Sequence, residues 1–327
     1  MRVLSDADVA DLLDLAELLP VVETAFVRQG RGEVERPDRP HFPVGTGLDP
    51  DRPDEPLGTG LVMPAYVHGE RHYATKLVGV HGGNPDRGLP TVTAQVVLNE
   101  AATGRPVAFL HGTRLTAART GCIGGLAARE FAARPATVGV LGAGTQARWQ
   151  VRAMAAATDV ERVRVHSPSD SRRALARELA GELGHPVDPV AAPRDAVADA
   201  DVVVTATTSD EPTFPADALA DGTLVVAVGA YEPSAQEVPA GAFDRAAHLF
   251  ADVPEEVARI GDVLAADVDP DRLVPLAAAL DGRYERTVEP ADVVLVESVG
   301  TAVLDAAVAA HVYEAAVDAD VGAVVDG

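Results

Sequence analysis

One short segment near the middle of the chain restricts its fold more than any other. Gly142-Ala143-Gly144-Thr145-Gln146-Ala147 has the form G-x-G-x-x-A. It follows the apolar run Thr137–Leu141 directly and opens a helical pattern over Gln146–Ala157. In that setting the pattern is a dinucleotide-binding turn. Gly142 makes the sharp bend, Gly144 lets backbone N–H groups approach a pyrophosphate, and Ala147 lets helix and strand pack closely. The helix N-terminus adds unsatisfied donors and the positive end of the helix dipole. The segments that follow keep this grammar. Val160–His166, Val202–Ala206, Leu224–Val228, His248–Ala251 and Val293–Val296 read as strands, and Ser169–Leu183 as a helix. Strands alternating with helices imply a parallel α/β sheet.

The end of the second strand bears on the cofactor. An NAD-binding chain places an acid there for the ribose hydroxyls, whereas an NADP-binding chain replaces it and adds arginine. Ser167 holds that position here, followed by Ser169, Arg172 and Arg173. Hydroxyls and guanidinium forks suit a 2′-phosphate, so NADP is slightly favoured. A one-residue shift of alignment toward Asp170 returns the NAD reading.

The first part of the chain is written differently. Residues 5–31 carry apolar residues at helical spacing, with Ser5 as an N-cap and Pro20 opening a second helix. Residues 32–60, rich in Pro, Gly and charge, read as irregular or edge-strand material. Leu61–Val67, His72–Val80, Thr91–Asn99 and Pro106–His111 read as strands joined by short glycine-bearing turns, an antiparallel meander. Thr113–Ala133 is a long helix, and a last helix runs from Thr301 to Val317. At about 100–200 residues per domain, 327 residues allow two domains. The expected division is 1–116 with 303–327, and 117–302.

Charge narrows the class of partner. Fifty acidic residues face 27 basic ones, a net charge of −23. A field of that sign repels phosphate backbones and argues against a nucleic-acid partner. The acids are spread along the chain, which suits a halophilic surface that stays solvated in concentrated salt. No apolar run approaches the ~18 residues of a membrane span. The amino terminus shows no secretory pattern. The lone Cys122 cannot form an internal disulfide, so a reduced cytoplasmic setting is expected. Among the basic residues Lys76 is the only lysine. A position that keeps lysine while every other cation is arginine suits a compact ammonium whose pKa can fall toward neutrality.

Several separate stretches together resemble the ornithine cyclodeaminase/mu-crystallin family over nearly the whole length. They are Arg36-Pro37-Asp38-Arg39, Ala74-Thr75-Lys76-Leu77, Gly88–Ala94, Leu115–Thr120, the glycine turn, Ala227-Val228-Gly229 and Glu297-Ser298-Val299-Gly300. The resemblance implies a Rossmann-type NAD(P)-binding domain inserted into an α+β substrate and dimerisation domain, and a homodimer. It implies chemistry at the Cα–N bond of a small amino or imino acid through NADP or NAD. It also implies roles. Arg39 would hold the substrate carboxylate, and Lys76 would stand beside Cα as the acid/base. Thr91 and Arg119 would be cofactor contacts from the first domain, Arg119 at the pyrophosphate. Gly144, Thr145 and Gln146 would lie on the phosphates. Ala206 and Thr207 would be near the adenosine or ribose, and Val228 and Ser298 near the nicotinamide.

One position departs from the family. Cyclodeaminases and the alanine dehydrogenase branch carry an aspartate after the Val-Gly of the fifth strand, where this chain has Tyr231, followed by Glu232. Without that carboxylate, cyclisation with loss of ammonia lacks a key group. Reducing an imine needs only hydride, a proton source and a carboxylate clamp. The expectation is therefore an NAD(P)-dependent imino-acid reductase or amino-acid dehydrogenase. Ornithine cyclodeaminase activity, or cofactor and ligand binding without turnover, are the alternatives. No metal site is expected: His68 and His72 fall on a hairpin rather than a helix face. Cys122 reads as helix packing, and Asp262, Asp267, Asp269 and Asp271 as a solvated loop.

Overall fold

The computed structural model describes residues 1–326. In chain order the first elements are β1 (Arg2–Leu4), α1 (Asp6–Leu12), α2 (Leu15–Gly30), β2 (Val34–Glu35), β3 (His41–Val44), β4 (Gly58–Val67), β5 (His72–Val80), β6 (Val92–Glu100), β7 (Pro106–His111) and α3 (Gly112–Phe131). Then come β8 (Ala136–Leu141), α4 (Thr145–Ala157), β9 (Val160–His166), α5 (Ser171–Leu183), β10 (Val187–Pro189), α6 (Pro193–Val197), β11 (Val202–Thr205), β12 (Leu224–Ala227), α7 (Ala240–Arg245) and β13 (Ala246–Ala251). The chain closes with α8 (Pro254–Val257), α9 (Gly261–Ala265), β14 (Leu273–Pro275), α10 (Leu276–Leu280), β15 (Val293–Glu297), α11 (Ala302–Asp318) and β16 (Ala323–Val324). These elements divide into two compact units. Met1–Asp14, Arg31–Arg119 and the chain from Thr301 onward form one; Leu15–Gly30 and Thr120–Gly300 form the other.

The first unit is built on a mixed sheet in the order β16-β1-β7-β6-β5-β4-β2, with β3 also paired to β4. The meander β4 to β7 is antiparallel, and β1 runs parallel to β7. Alternation gives the sheet two different faces. Ala74, Ala94, Val96, Leu98, Ala108 and Leu110 are buried on the face that α11 covers. Burying a Val or Leu side chain of this kind contributes roughly 1.5–3 kcal/mol. α11 suits the position: Val303, Leu304, Val308 and Val312 are buried, and Thr301 caps its N-terminus by accepting from Val303 N. On the opposite face Leu77 and Phe109 remain 42% and 36% exposed.

The second unit is a parallel sheet in the order β10-β9-β8-β11-β12-β15-β13-β14, a Rossmann-type arrangement. β8, β11, β12 and β15 are buried along their whole length, as continuous Val/Leu/Ala runs between two helical layers require. Strand order reverses between β8 and β11, and the ligand crevice of such sheets lies at the carboxyl ends there.

Two local expectations differ from the structure. Pro20 lies inside α2, which opens at Leu15 after extended backbone at Leu13. The apolar stripe Leu18, Leu19, Val22, Ala25 and Phe26 runs through the proline and is buried on α4 and α10, which offsets one missing helix bond. By the same packing, residues 15–30 group with the second unit, although the sequence division kept them with the first. The boundary after Arg119 falls inside α3.

Candidate functional site

On the α11-facing side of β5, Lys76 stands in an apolar cross-strand row. The ladders place Lys76 between Met63 of β4 and Val96 of β6, and Leu110 and Leu4 continue the row. Lys76 is 2% exposed. An ammonium in such surroundings needs a partner. Its Nζ lies 2.6 Å from Asp305 Oδ2, on the first turns of α11. Asp305 Oδ1 accepts from Arg119 Nε at 3.0 Å and from Thr116 Oγ1 at 3.4 Å. Arg119 is also buried, and its Nη1 has no hydrogen-bond partner among the described residues.

The electrostatics of this group follow from its burial. Desolvation pushes the Lys76 ammonium down, Asp305 pushes it back up, and Arg119 and Arg39 push it down again, leaving it at about 8 rather than 10.5. Asp305 loses solvation too, but the cations Arg119 and Lys76 outweigh this and hold its carboxyl below the usual range. Lys76 can therefore exchange a proton near neutrality. Arg39, half-buried in the stretch before β3, is close enough for its charge to act on Lys76. Thr91 stands just before β6, where its carbonyl accepts from His81 N at 2.8 Å.

In the second unit β8 ends at Leu141 and the chain turns sharply. Gly142 has φ +109°, and a Cβ there would meet Ala206 O at 2.3 Å. Only glycine satisfies both conditions, and the close approach brings Ala206 and Thr207 against the turn. Gly144 precedes α4 with open space where a Cβ would stand, so backbone donors of Thr145 and Gln146 are approachable from outside. Gln146 Oε1 is buried without a hydrogen-bond partner among the described residues. Arg148 Nη1 donates to the carbonyls of Ala143 and Gly144 at 2.9 and 3.0 Å, bracing the loop. A helix N-terminus behind an open glycine turn is a cradle for phosphate.

The ladder pairs Leu141 with His166, so Ser167 is the first residue beyond β9. Ser167 and Ser169 flank Ser171, with hydroxyl separations of 3.2 and 2.6 Å. Arg172 Nη1 donates to the carbonyls of Ser167 and Ser169 at 2.9 and 2.7 Å. Asp170 turns outward to Arg173, 3.1 Å away. Val228 follows β12 and Ser298 follows β15, on neighbouring strands. The Ser298 hydroxyl donates to Asp252 at 2.7 Å.

Asp252 belongs to a set of buried carboxylates at the carboxyl ends of these strands. Asp252 also accepts from Val299 N and Gly300 N. Glu237 accepts from Thr205 Oγ1, Thr207 N and Gly229 N, tying together the loops after β11 and β12. Asp262 Oδ1 accepts from Glu237 N and Val238 N. Burial pushes Glu237 up to about 7 and Asp262 to about 6. Glu297, fully buried with neither oxygen hydrogen-bonded among the described residues, is raised well above the glutamate range by burial and by the charges of Asp262, Glu237 and Asp252. Asp262 is therefore no part of a solvated loop: it is fully buried on α9, drawn inward by two backbone donors.

The structure thus brings Lys76, Arg119 and Arg39 together in the first unit. In the second it gathers Ala206 and Thr207 at the glycine turn, Arg172 beside Ser167, and Val228 near Ser298. Sequence reasoning missed Asp305, Thr116, Asp252, Glu237 and Glu297. One available signal was an acid inside an apolar run, as in Val303-Leu304-Asp305-Ala306 and Val294-Leu295-Val296-Glu297. Such an acid is buried only when paired or protonated.

Comparison with known proteins fits this geometry. A Δ1-pyrroline-2-carboxylate/Δ1-piperideine-2-carboxylate reductase of Azospirillum brasilense is 34% identical over 308 residues, 92% of this chain and 91% of that protein. The solved Δ1-pyrroline-2-carboxylate reductase of Thermococcus litoralis, in complex with NADH and L-proline, superposes with a TM-score of 0.93 at 29% identity, covering 99% of this chain and 100% of that one. An archaeal alanine dehydrogenase dimer with bound NAD superposes with a TM-score of 0.90 at 27% identity, covering 100% and 99%. The ornithine cyclodeaminase/mu-crystallin family model matches residues 1–320, and the chain belongs to that family.

Proposed function

We propose that this chain, an NAD(P)-dependent oxidoreductase of the ornithine cyclodeaminase/mu-crystallin family, reduces a small cyclic α-imino acid of the Δ1-pyrroline-2-carboxylate class. The observation that carries the reading is the only lysine, buried in an apolar row beside Asp305, Arg119 and Arg39 and able to exchange a proton near pH 8. The open glycine turn, the free donors of α4 and the unspent Arg119 Nη1 fit a dinucleotide. Gly142, Gly144, Thr145, Gln146 and Arg119 would hold its phosphates. Thr91 would be a further cofactor contact, Ala206 and Thr207 would lie near its adenosine or ribose, and Val228 and Ser298 near its nicotinamide. When bound, a reduced nicotinamide supplies the hydride that the imine carbon accepts.

The chain's own residues do the rest. Arg39 grips the planar substrate carboxylate through its guanidinium fork. Lys76, as the ammonium, donates a proton to the imine nitrogen and is recharged from water. Arginine could not take that role, because it does not deprotonate in a protein. Tyr231, where the family's cyclodeaminases carry an aspartate, favours reduction over loss of ammonia. The hydroxyls of Ser167, Ser169 and Ser171 and the braced Arg172 support NADP over NAD. The exposed apolar face with Leu77 and Phe109 supports a homodimer through the first unit.

The test is absorbance at the nicotinamide band with pyrroline-2-carboxylate and piperideine-2-carboxylate. NADPH oxidation that yields the cyclic amino acid is expected. Release of ammonia and proline from ornithine, with no net cofactor change and no imine reduction, would overturn the proposal. So would tight cofactor binding without turnover on any imino acid.

A further inference from the structure

We propose that Asp305 positions both cations of the first unit: one oxygen holds the Lys76 ammonium, and the other clamps Arg119 by its Nε edge so that the outer guanidinium nitrogen stays unspent for an anion. The inference rests on the proposed function for its purpose, though not for its test.

The geometry divides the carboxylate cleanly. Oδ2 faces Lys76 Nζ at 2.6 Å, while Oδ1 takes Arg119 Nε at 3.0 Å and Thr116 Oγ1 at 3.4 Å. An arginine bound side-on through Nε keeps its terminal nitrogens available, and Arg119 Nη1 is indeed buried without a partner. A bidentate grip through both terminal nitrogens would have consumed the fork. The location strengthens the anion. Asp305 lies in the first turns of α11, where the helix dipole favours negative charge. The charged groups that act most strongly on Lys76 are Asp305 from α11, Arg119 from α3 and Arg39 from the segment before β3. Of these only Asp305 favours the ammonium. The flanking Met63 and Val96 offer it nothing polar. Asp305 thereby couples the proton donor to the anion clamp through a single side chain.

The test exploits the single lysine. Protein labelled with carbon-13 at the lysine ε position gives one resonance, and its titration reads Lys76 directly without substrate. In Asp305→Asn the midpoint should fall by about one pH unit or more, because the carboxylate that favours the ammonium is gone. Dinucleotide affinity, read from NADPH fluorescence, should weaken several-fold as Arg119 loses its anchor. Asp305→Glu, which keeps the charge, should restore the lysine midpoint. An unchanged midpoint in folded Asp305→Asn would overturn the proposal, since a residue that merely packs α11 would not move it.

If Asp305→Asn does not fold, Arg119→Met carries the test. Removing the competing guanidinium takes away one repelling cation and leaves the carboxylate's charge to Lys76, so the midpoint should rise, and no rise overturns the shared role. A protein that shows these shifts but reduces no imino acid defeats the proposed function and leaves the positioning role of Asp305 standing.

Discussion

The buried carboxylates at the strand ends should make folding stability fall steeply with pH, and Glu297→Gln should remove a defined part of that fall. A carboxyl whose folded pKa exceeds its unfolded value keeps a proton that the unfolded chain has released. Stability then declines as pH rises between the two values and declines no further above the folded one. Glu237, raised from 4.5 to about 7, and Asp262, raised from 3.8 to about 6, each cost about 3 kcal/mol by this route. Both costs are complete near pH 7. Burial and the neighbouring carboxylates raise Glu297 well above its ordinary range, so the folded chain keeps its proton after the unfolded chain has released it. While it does, each further pH unit costs about 1.4 kcal/mol, the work of keeping one extra proton bound. Glutamine has the same shape, no proton to lose and no partner to disappoint. As pH rises above the ordinary glutamate range, the variant should lose less stability than the parent, by about 1.4 kcal/mol for each pH unit over which the folded parent keeps that proton. That is about 3–6 °C in Tm for units of this size. Calorimetry at fixed ionic strength, parent beside variant at pH 6, 7 and 8, measures it. The general self-repulsion of an acidic chain is common to both proteins and cancels. Parallel curves across that range would refute the assignment of a protonated Glu297.

Other expectations concern the proposed site. Reductive kcat/KM should fall about tenfold from pH 7 to 9, following the Lys76 ammonium through its midpoint near 8; a rate that ignores pH there contradicts the proton-donor role. Lys76→Met should abolish turnover while NADPH fluorescence titration shows near-parental binding. Ser167→Asp should shift the ratio of kcat/KM for NADPH over NADH toward NADH by about tenfold or more, the worth of one charge-assisted contact, and an unchanged ratio would place the 2′-phosphate elsewhere. Light scattering should find Leu77→Glu/Phe109→Glu as monomers and the parent as dimers; dimeric variants would move the interface off this sheet face.

The parallel sheet was legible because three local signals coincide within a few residues: an apolar strand, a glycine turn and a helix start. The meander was legible from alternation and glycine-bearing turns. The membership of α2 was not, because an amphipathic stripe tells that one face is buried and not what covers it. Lys76 stood out as the only lysine, yet its counter-ion lies far along the chain on α11, and only the fold brings them together. Asp262 was misread for a related reason. Its acidic neighbours suggested solvent, whereas the free backbone donors of Glu237 and Val238 draw it inward. Isolated charges are read poorly from sequence because their environment is decided by distant chain.

The burial of the single lysine has a practical consequence for covalent chemistry. The chain carries one side-chain amine, the enclosed Nζ of Lys76. Dyes, tethers or cross-linkers aimed at lysine therefore meet a single, shielded target in the folded protein. An adduct on Lys76, located by mass spectrometry after proteolysis, will record how often the apolar row around it opens.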